Sequence, residues 1–269
     1  MHTPFLICGH GWLGQHLSSA ISTEASISGT TRSQEKANSL RTRGIQAIPF
    51  SLGDDASEVA KAAKDAVVIL NIPAGRKATE HTTYLQDMAD LTEAIATAGP
   101  AHVIFISTTS VYGADGEGTV TERSPLCPDT PSAEANCKVE AMVTQTLPDH
   151  FSILRLAGLV GPDRHPVKFL AGKTLEAGNK VVNLVYIDDV IQAIRRLAGI
   201  GPVCRALHLA ATDHPKRGEY YPAIARAMQL PEPIFSDTDA VPTGKCVDPT
   251  ATLETLSMTL AYPSPYDMT

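Results

Sequence analysis

The sequence predicts an α/β protein, a doubly wound parallel sheet with a smaller C-terminal substrate lobe. Three observations predict it. Short β-branched runs alternate with longer amphipathic stretches through the first 160 residues, the pattern of strand–helix units joined into a parallel sheet. Several of these runs are apolar almost throughout, as strands covered on both faces are. After Gly158 the character changes: Gly161-Pro162, His165-Pro166, Gly201-Pro202 and Leu230-Pro231-Glu232-Pro233 punctuate shorter elements.

Taken in order, strands are expected at Phe5–Cys8, Ala25–Gly29, Gln46–Pro49, Ala66–Ile72, His102–Ser107 and Phe151–Arg155. Helices are expected between and after them, at Trp12–Ile21, Gln34–Thr42, Glu58–Lys64, His81–Thr97 and Ala133–Thr146. One further helix is expected at Ile187–Leu197, with Asp188 and Asp189 favoured at the positive end of its dipole. The expected division is a sheet core over 1–160, with the 187–197 helix packing back on it, and a smaller lobe over 161–269. Ligands belong in the cleft between the two.

Charge and cysteine usage narrow the function. Lys and Arg number 22 against 29 Asp and Glu, a net charge of −7, which argues against nucleic acid as a partner. Cys8, Cys127, Cys137, Cys204 and Cys246 are scattered, odd in number and without a Cys-x-x-Cys pair. They read as reduced thiols of a cytoplasmic protein rather than a disulfide framework or zinc site. The start, Met1-His-Thr-Pro, has no basic leader region, and Phe5–Cys8 is too short for a signal peptide's apolar run. No apolar run reaches the length of about 18 residues needed to cross a bilayer. His81, His102, His150, His208 and His214 are dispersed, so no metal is expected, and Ser107-Thr-Thr-Ser110 lacks a hydrolase elbow.

The first strand runs into Gly9-His-Gly-Trp-Leu-Gly14 and a helix follows. Gly9 permits the turn, Gly11 lets backbone approach a pyrophosphate, and Gly14 allows close helix–strand contact. The phosphates sit on backbone N–H groups, those of Trp12 and Leu13 among them, at the positive end of the helix dipole. The alternative is a glycine-rich turn without a ligand. Asn71, Ile72 and Pro73 at the end of the fourth strand and Ser107 at the end of the fifth complete the expected cofactor contacts, because open sheets bind ligands at their carboxyl ends.

An acid about 20 residues after the loop grips the ribose of NAD. The second strand instead ends in Ser28-Gly-Thr-Thr-Arg-Ser33, and Glu35 comes too late. Arg32 offers a planar fork to a 2′-phosphate, with Ser33 as hydroxyl partner, which favours NADP over NAD. The alternatives are a solvated arginine and a plain helix N-cap.

Further on, Ile104-Phe-Ile-Ser-Thr-Thr-Ser-Val-Tyr-Gly113 places a hydroxyl cluster at the end of the fifth strand. Glu122, Pro125, Pro128 and Lys138 follow, then Arg155-Leu-Ala-Gly-Leu-Val-Gly-Pro162 and Val185-Tyr-Ile-Asp-Asp-Val190. Together these resemble the extended short-chain dehydrogenase/reductase superfamily, of the NAD-dependent epimerase/dehydratase kind. Gly158-Leu-Val-Gly-Pro, Arg164-His-Pro, Phe169-Leu-Ala-Gly-Lys173 and Asn183-Leu-Val are most like its atypical, YeeZ-like branch. The resemblance covers nearly the whole chain and implies a Rossmann fold with a small substrate lobe, without naming a substrate.

Two positions depart from the family pattern. Extended members usually carry Gly-x-x-Gly-x-x-Gly, and Cys8 stands where the first glycine falls. Active members carry Tyr-x-x-x-Lys, a tyrosinate as acid/base and a lysine that binds the nicotinamide ribose. Here Lys138 is present, but four residues before it stands Glu134. Thr108, four residues before Tyr112, fills the catalytic hydroxyl position. On a helix Glu134 and Lys138 form an i,i+4 pair in the better orientation. Either they are an exposed pair, or Lys138 is a ribose ligand and Glu134 a substitute base.

Tyr112 reads as turn packing. Arg164, His165, Lys168, Lys173 and Lys180 form a local basic excess that suits an anionic substrate or, equally, a solvated face. The reading is an NAD(P)-binding oxidoreductase or epimerase-like enzyme for a small hydroxyl or carbonyl substrate. Its rival is a redox-silent dinucleotide sensor that kept the site without the tyrosine. Monomer and homodimer are both open.

Overall fold

The computed structural model describes residues 3–75, 81–114 and 116–269. The first half runs β1 (Thr3–Cys8), α1 (Trp12–Ile21), β2 (Ala25–Thr31), α2 (Gln34–Thr42), β3 (Gln46–Pro49), α3 (Ser57–Ala63), β4 (Val67–Leu70), α4 (His81–Ala98) and β5 (His102–Thr108). There follow β6 (Gly118–Val120), α5 (Pro131–Thr146), β7 (Phe151–Leu156), β8 (Gly158–Val160), α6 (Val167–Leu170), β9 (Thr174–Leu175) and β10 (Leu184–Tyr186). The chain ends with α7 (Ile187–Ile200), β11 (Ala206–Leu209), α8 (Arg217–Ala227), β12 (Ile234–Phe235), β13 (Lys245–Val247) and α9 (Thr250–Leu256).

The main sheet has seven strands in the order β11-β7-β5-β4-β1-β2-β3. The pairs β1–β2, β1–β4, β2–β3 and β4–β5 are parallel. The chain starts in the middle, works to one edge through β3, then returns to β4 and builds outward the other way. That reversal between β1 and β4 opens the crevice where sheets of this kind hold ligands.

The chain divides into two compact units. One comprises Met1–Val111, Pro128–Arg155 and Ile194–Leu207; the other comprises Tyr112–Cys127, Leu156–Ala193 and His208–Thr269. The units are therefore interleaved in sequence, where a single boundary near residue 160 is the sequence expectation. In the first unit the strands present Leu6, Cys8, Val68, Leu70, Val103 and Phe105 to Met88 and Leu91 of α4 and Val139 and Val143 of α5. Burial pushes the Cys8 thiol up to about 12, which makes it a small apolar side chain. Among the described residues no helix is long and apolar enough to cross a membrane.

The second unit is held by side chains that bind backbone. Asn183 donates its amide to the Lys245 carbonyl and accepts the Val247 N–H, both at 2.8 Å. Asp188 and Asp189 lie in the first turn of α7 as expected. Asp189, however, is buried and accepts the N–H groups of Ala261 (2.7 Å) and Tyr262 (3.1 Å), so it also ties down the C-terminal segment.

His102 is buried in the first unit, its Nε2 2.7 Å from Ser152 Oγ. Burial, with His150 adding, lowers its pKa from 6.5 to about 4. The folded protein thus holds it neutral while the unfolded chain takes up a proton near 6.5. That stability is fully present above pH 6.5 and is lost as pH falls toward 4. Urea unfolding at pH 7 and pH 4.5 should show wild type losing on the order of 2 kcal/mol more than His102→Gln over that interval. An equal loss in the two proteins would contradict this assignment.

Candidate functional site

Three glycines answer three constraints at the turn between β1 and α1. Gly9 has φ +82°, and a Cβ there would lie 2.3 Å from the Asn71 carbonyl oxygen. No side chain fits in either respect. Gly11 is the N-cap of α1, and a Cβ on it would meet nothing nearer than the Gly9 oxygen at 3.9 Å. Gly14 packs its face on β1, where a Cβ would stand 3.1 Å from Ile7 Cγ2.

The loop is clamped from both neighbouring strands. Gly9 N–H donates to Thr30 Oγ1 (2.8 Å) and His10 N–H to the Thr30 carbonyl (3.1 Å). From the β4 side, Asn71 N–H donates to the Cys8 carbonyl (2.9 Å) and its side-chain amide to the Gly9 carbonyl (3.3 Å). Ile72 lies beside Gly9, and its carbonyl accepts the Tyr84 hydroxyl (2.9 Å). Pro73 is exposed, Leu13 is buried, and the half-buried Trp12 ring lies 4.5 Å from that of His16. No side chain caps α1, and among the described residues a Cβ on Gly11 would meet nothing closer than the Gly9 oxygen, so the helix begins with its positive dipole end uncapped by a side chain. An anionic pyrophosphate fits that arrangement.

At the end of β2, Arg32 is exposed and no acid stands between Gly29 and Ser33. Ser33 Oγ accepts the Lys36 N–H (3.3 Å) and caps α2, the second of the two roles open to it.

Thr108 closes β5, accepting the Ser110 N–H and sharing a hydrogen bond with the Ser110 hydroxyl, both at 3.1 Å. Thr130 caps α5 by accepting the Ala133 N–H (3.2 Å), which puts Glu134 in the first turn and Lys138 one turn on. Both side chains are exposed. Contrary to the spacing-based expectation, they do not form an ion pair among the described residues.

Ser107, one of the expected cofactor contacts, is buried and donates its hydroxyl to Glu140 Oε1 (2.6 Å). Glu140 is 4% exposed and Arg155 5%; Arg155 Nε lies 3.0 Å from Oε1 and its terminal nitrogen 2.6 Å from Oε2. The arrangement locks the end of β5 to α5 and β7, the strand and helix that carry Thr108, Glu134 and Lys138. In the sequence the one mark of Glu140 is an acid set between Val139 and Val143 on the apolar stripe.

Tyr112 is buried and shares a hydrogen bond of 3.0 Å with His208 Nδ1, while His208 Nε2 is 2.6 Å from the Asp248 carbonyl. That carbonyl fixes the proton on Nε2, so Tyr112 donates to Nδ1. In the basic segment, His165 is buried against the Tyr220 hydroxyl (2.9 Å), and burial followed by Lys168 lowers its pKa to about 4. It is neutral there. Lys180 binds the Ala114 carbonyl (2.9 Å), whereas Arg164 and Lys173 are exposed. Among the described residues no cluster of three His, Cys, Asp or Glu side chains could hold a metal ion.

A seven-stranded doubly wound sheet with this loop at its first turn defines a Rossmann-type protein. The chain belongs to the NAD dependent epimerase/dehydratase family, which residues 5–201 match. Protein YeeZ of Escherichia coli (strain K12) is 34% identical over 267 residues, 97% of each chain. A functionally unknown conserved protein from Silicibacter pomeroyi superposes with a TM-score of 0.77 at 22% identity, covering 98% of this chain and 95% of its own. UDP-glucuronic acid 4-epimerase from Bacillus cereus, solved in complex with NAD, superposes with a TM-score of 0.78 at 17% identity and the same coverage.

Removing one member of the Glu140–Arg155 pair leaves a buried charge unanswered. Arg155→Met should therefore cost about 3–5 kcal/mol in urea unfolding, and the Glu140→Leu/Arg155→Met double variant much less. A single-variant cost below about 1 kcal/mol would show that water reaches the pair.

Proposed function

We propose that the chain binds a nicotinamide dinucleotide at the Gly9–Gly14 loop, NADP in preference to NAD. It acts as an oxidoreductase or epimerase-like protein on a small hydroxyl or carbonyl substrate of anionic, nucleotide-sugar kind. The observation that carries this reading is the loop itself: a glycine forced by the Asn71 carbonyl, then a glycine with room around it among the described residues, at a helix start no side chain caps. The bound cofactor supplies hydride transfer, and the protein supplies position and polarity.

Each residue has a task in this reading. The first-turn N–H groups of α1 hold the pyrophosphate, and Gly11 lets it approach. Arg32 pairs with the 2′-phosphate. Lys138 donates to the ribose hydroxyls, and Thr108 orients the substrate oxygen. The B. cereus epimerase, named for a nucleotide sugar and solved with NAD, supports the substrate class.

Position 134 separates turnover from silent binding. A carboxylate accepts a proton readily and donates one poorly at neutral pH, whereas a carbonyl oxygen needs a donor as hydride arrives. The exposed Glu134, with no phenol in its place, is the observation behind the rival reading, a dinucleotide-binding sensor without turnover.

Two experiments test these readings. Calorimetry should find NADPH bound at least about tenfold more tightly than NADH, with Arg32→Ala costing about 1.5–3 kcal/mol for NADPH alone. Equal affinities in wild type would remove the NADP assignment. For turnover, wild type, Glu134→Gln and Glu134→Tyr should be assayed for NADPH oxidation with carbonyl substrates over pH 5–9. If Glu134 is only a surface acid, wild type is inert and Glu134→Tyr gains activity, since acid/base help is worth about 10²–10⁴-fold. Wild-type turnover that Glu134→Gln abolishes, with cofactor binding intact, makes Glu134 the working base instead.

A further inference from the structure

His10 stands inside the glycine loop, yet its imidazole turns inward and is 5% exposed. A Cβ on Gly29 would come within 2.8 Å of the ring's Cδ2, and one on Gly14 within 3.4 Å of its Cγ. The ring thus fills a slot between α1 and β2 that exists because both flanking positions are glycine.

Hydrogen bonding fixes its proton. Ser18 donates its single hydroxyl proton to the Gln15 carbonyl (3.1 Å), so the 3.1 Å contact between Ser18 Oγ and His10 Nε2 requires the proton on the imidazole. Nδ1 is then a buried acceptor without a hydrogen-bond partner among the described residues. A second proton there would bring a full charge into the slot, where burial opposes it and the residue's own backbone answers it only in part. The charged group facing the slot comes from the end of α2: the Arg43 guanidinium, 2.6 Å from Ser19 Oγ and 3.4 Å from Ser18 Oγ. Gly14, Ser18 and Gly29, which meet the ring from α1 and β2, carry no charge. His16, also on α1, has its ring against Trp12 instead.

We propose that His10 is a positioning residue of the dinucleotide loop, a neutral wedge that keeps α1 and β2 at the separation the loop needs, so that charging it weakens dinucleotide binding. This rests on the reading of Gly9–Gly14 as a dinucleotide site. Burial first, and then Arg43, hold the imidazole below the usual histidine range. An imidazolium driven from the slot empties the space between Gly14 and Gly29 beside the His10 backbone, whose N–H holds Thr30 between the two glycines that shape the loop. Protons and dinucleotide therefore compete, and affinity falls as pH drops below the ordinary histidine range.

The test is calorimetric titration of wild type, His10→Gln and Arg43→Gln with NADP⁺ from pH 7.5 to 5. Titration of the ligand's own 2′-phosphate is common to all three and cancels in the comparison. The expected result is a loss of affinity on acidification at least threefold larger in wild type than in His10→Gln. Arg43→Gln, lacking the repelling charge, should show the fall at a higher pH than wild type. A merely structural role would lower the melting temperature of His10→Gln and leave its pH profile like that of wild type, which would overturn the proposal. Should His10→Gln fail to fold, an unshifted profile in Arg43→Gln overturns it instead. Binding by none of the three at any pH would overturn the dinucleotide reading and the wedge together; binding with identical profiles removes the wedge alone.

Discussion

The approach of Gly9 to the Asn71 carbonyl is the constraint on which the dinucleotide account turns. Placing the backbone where a Cβ would be 2.3 Å from an oxygen lets β1 end tight against the turn that follows β4. The side-chain amide of Asn71 then reaches the Gly9 carbonyl, and Thr30 takes the Gly9 N–H from the opposite side. With the loop held from β2 and β4 together, α1 begins at Gly11 in a fixed direction, its positive end over the crevice. Electrostatic attraction for an anion needs that fixed aim more than any one contact.

A second tie plays the same part where β5 and α5 meet. The Glu140 carboxylate is shared by Ser107 and Arg155, so three elements are joined by charge-assisted hydrogen bonds away from water. Such a pair contributes little net stability over an apolar replacement, but it tolerates no loss of one partner. Its effect is geometric. Thr108 follows directly on Ser107, and Lys138 precedes Glu140 by two residues, so the candidate chemistry hangs on the ends of elements this tie holds in register.

Much of this was legible in the sequence because the signals are local. The helix over Trp12–Ile21 and the strand over Gln46–Pro49 are found where period and turn residues put them. The glycine roles followed from strand–turn–helix context. Features that depend on partners far along the chain left weaker marks. Ser107 looks like a strand-end hydroxyl until Glu140, 33 residues on, takes it. Helix α8 was hidden by Pro222 in its interior, which breaks the usual helical pattern. The interleaving of the two units has no local signature, and neither does the inward turn of His10, which depends on glycines at 14 and 29 at once.

The central claim is that the glycine loop binds a dinucleotide phosphate bridge, and the protein carries its own reporter. Trp12 is the chain's one tryptophan and starts α1 within the loop. The deciding measurement is a fluorescence titration of wild type and Gly11→Val with NADPH, with thermal melts alongside. The account expects saturable, one-to-one quenching of Trp12 in wild type, and no response in Gly11→Val at an unchanged melting temperature. Equal binding by the two proteins, or no saturable signal from wild type, would contradict it.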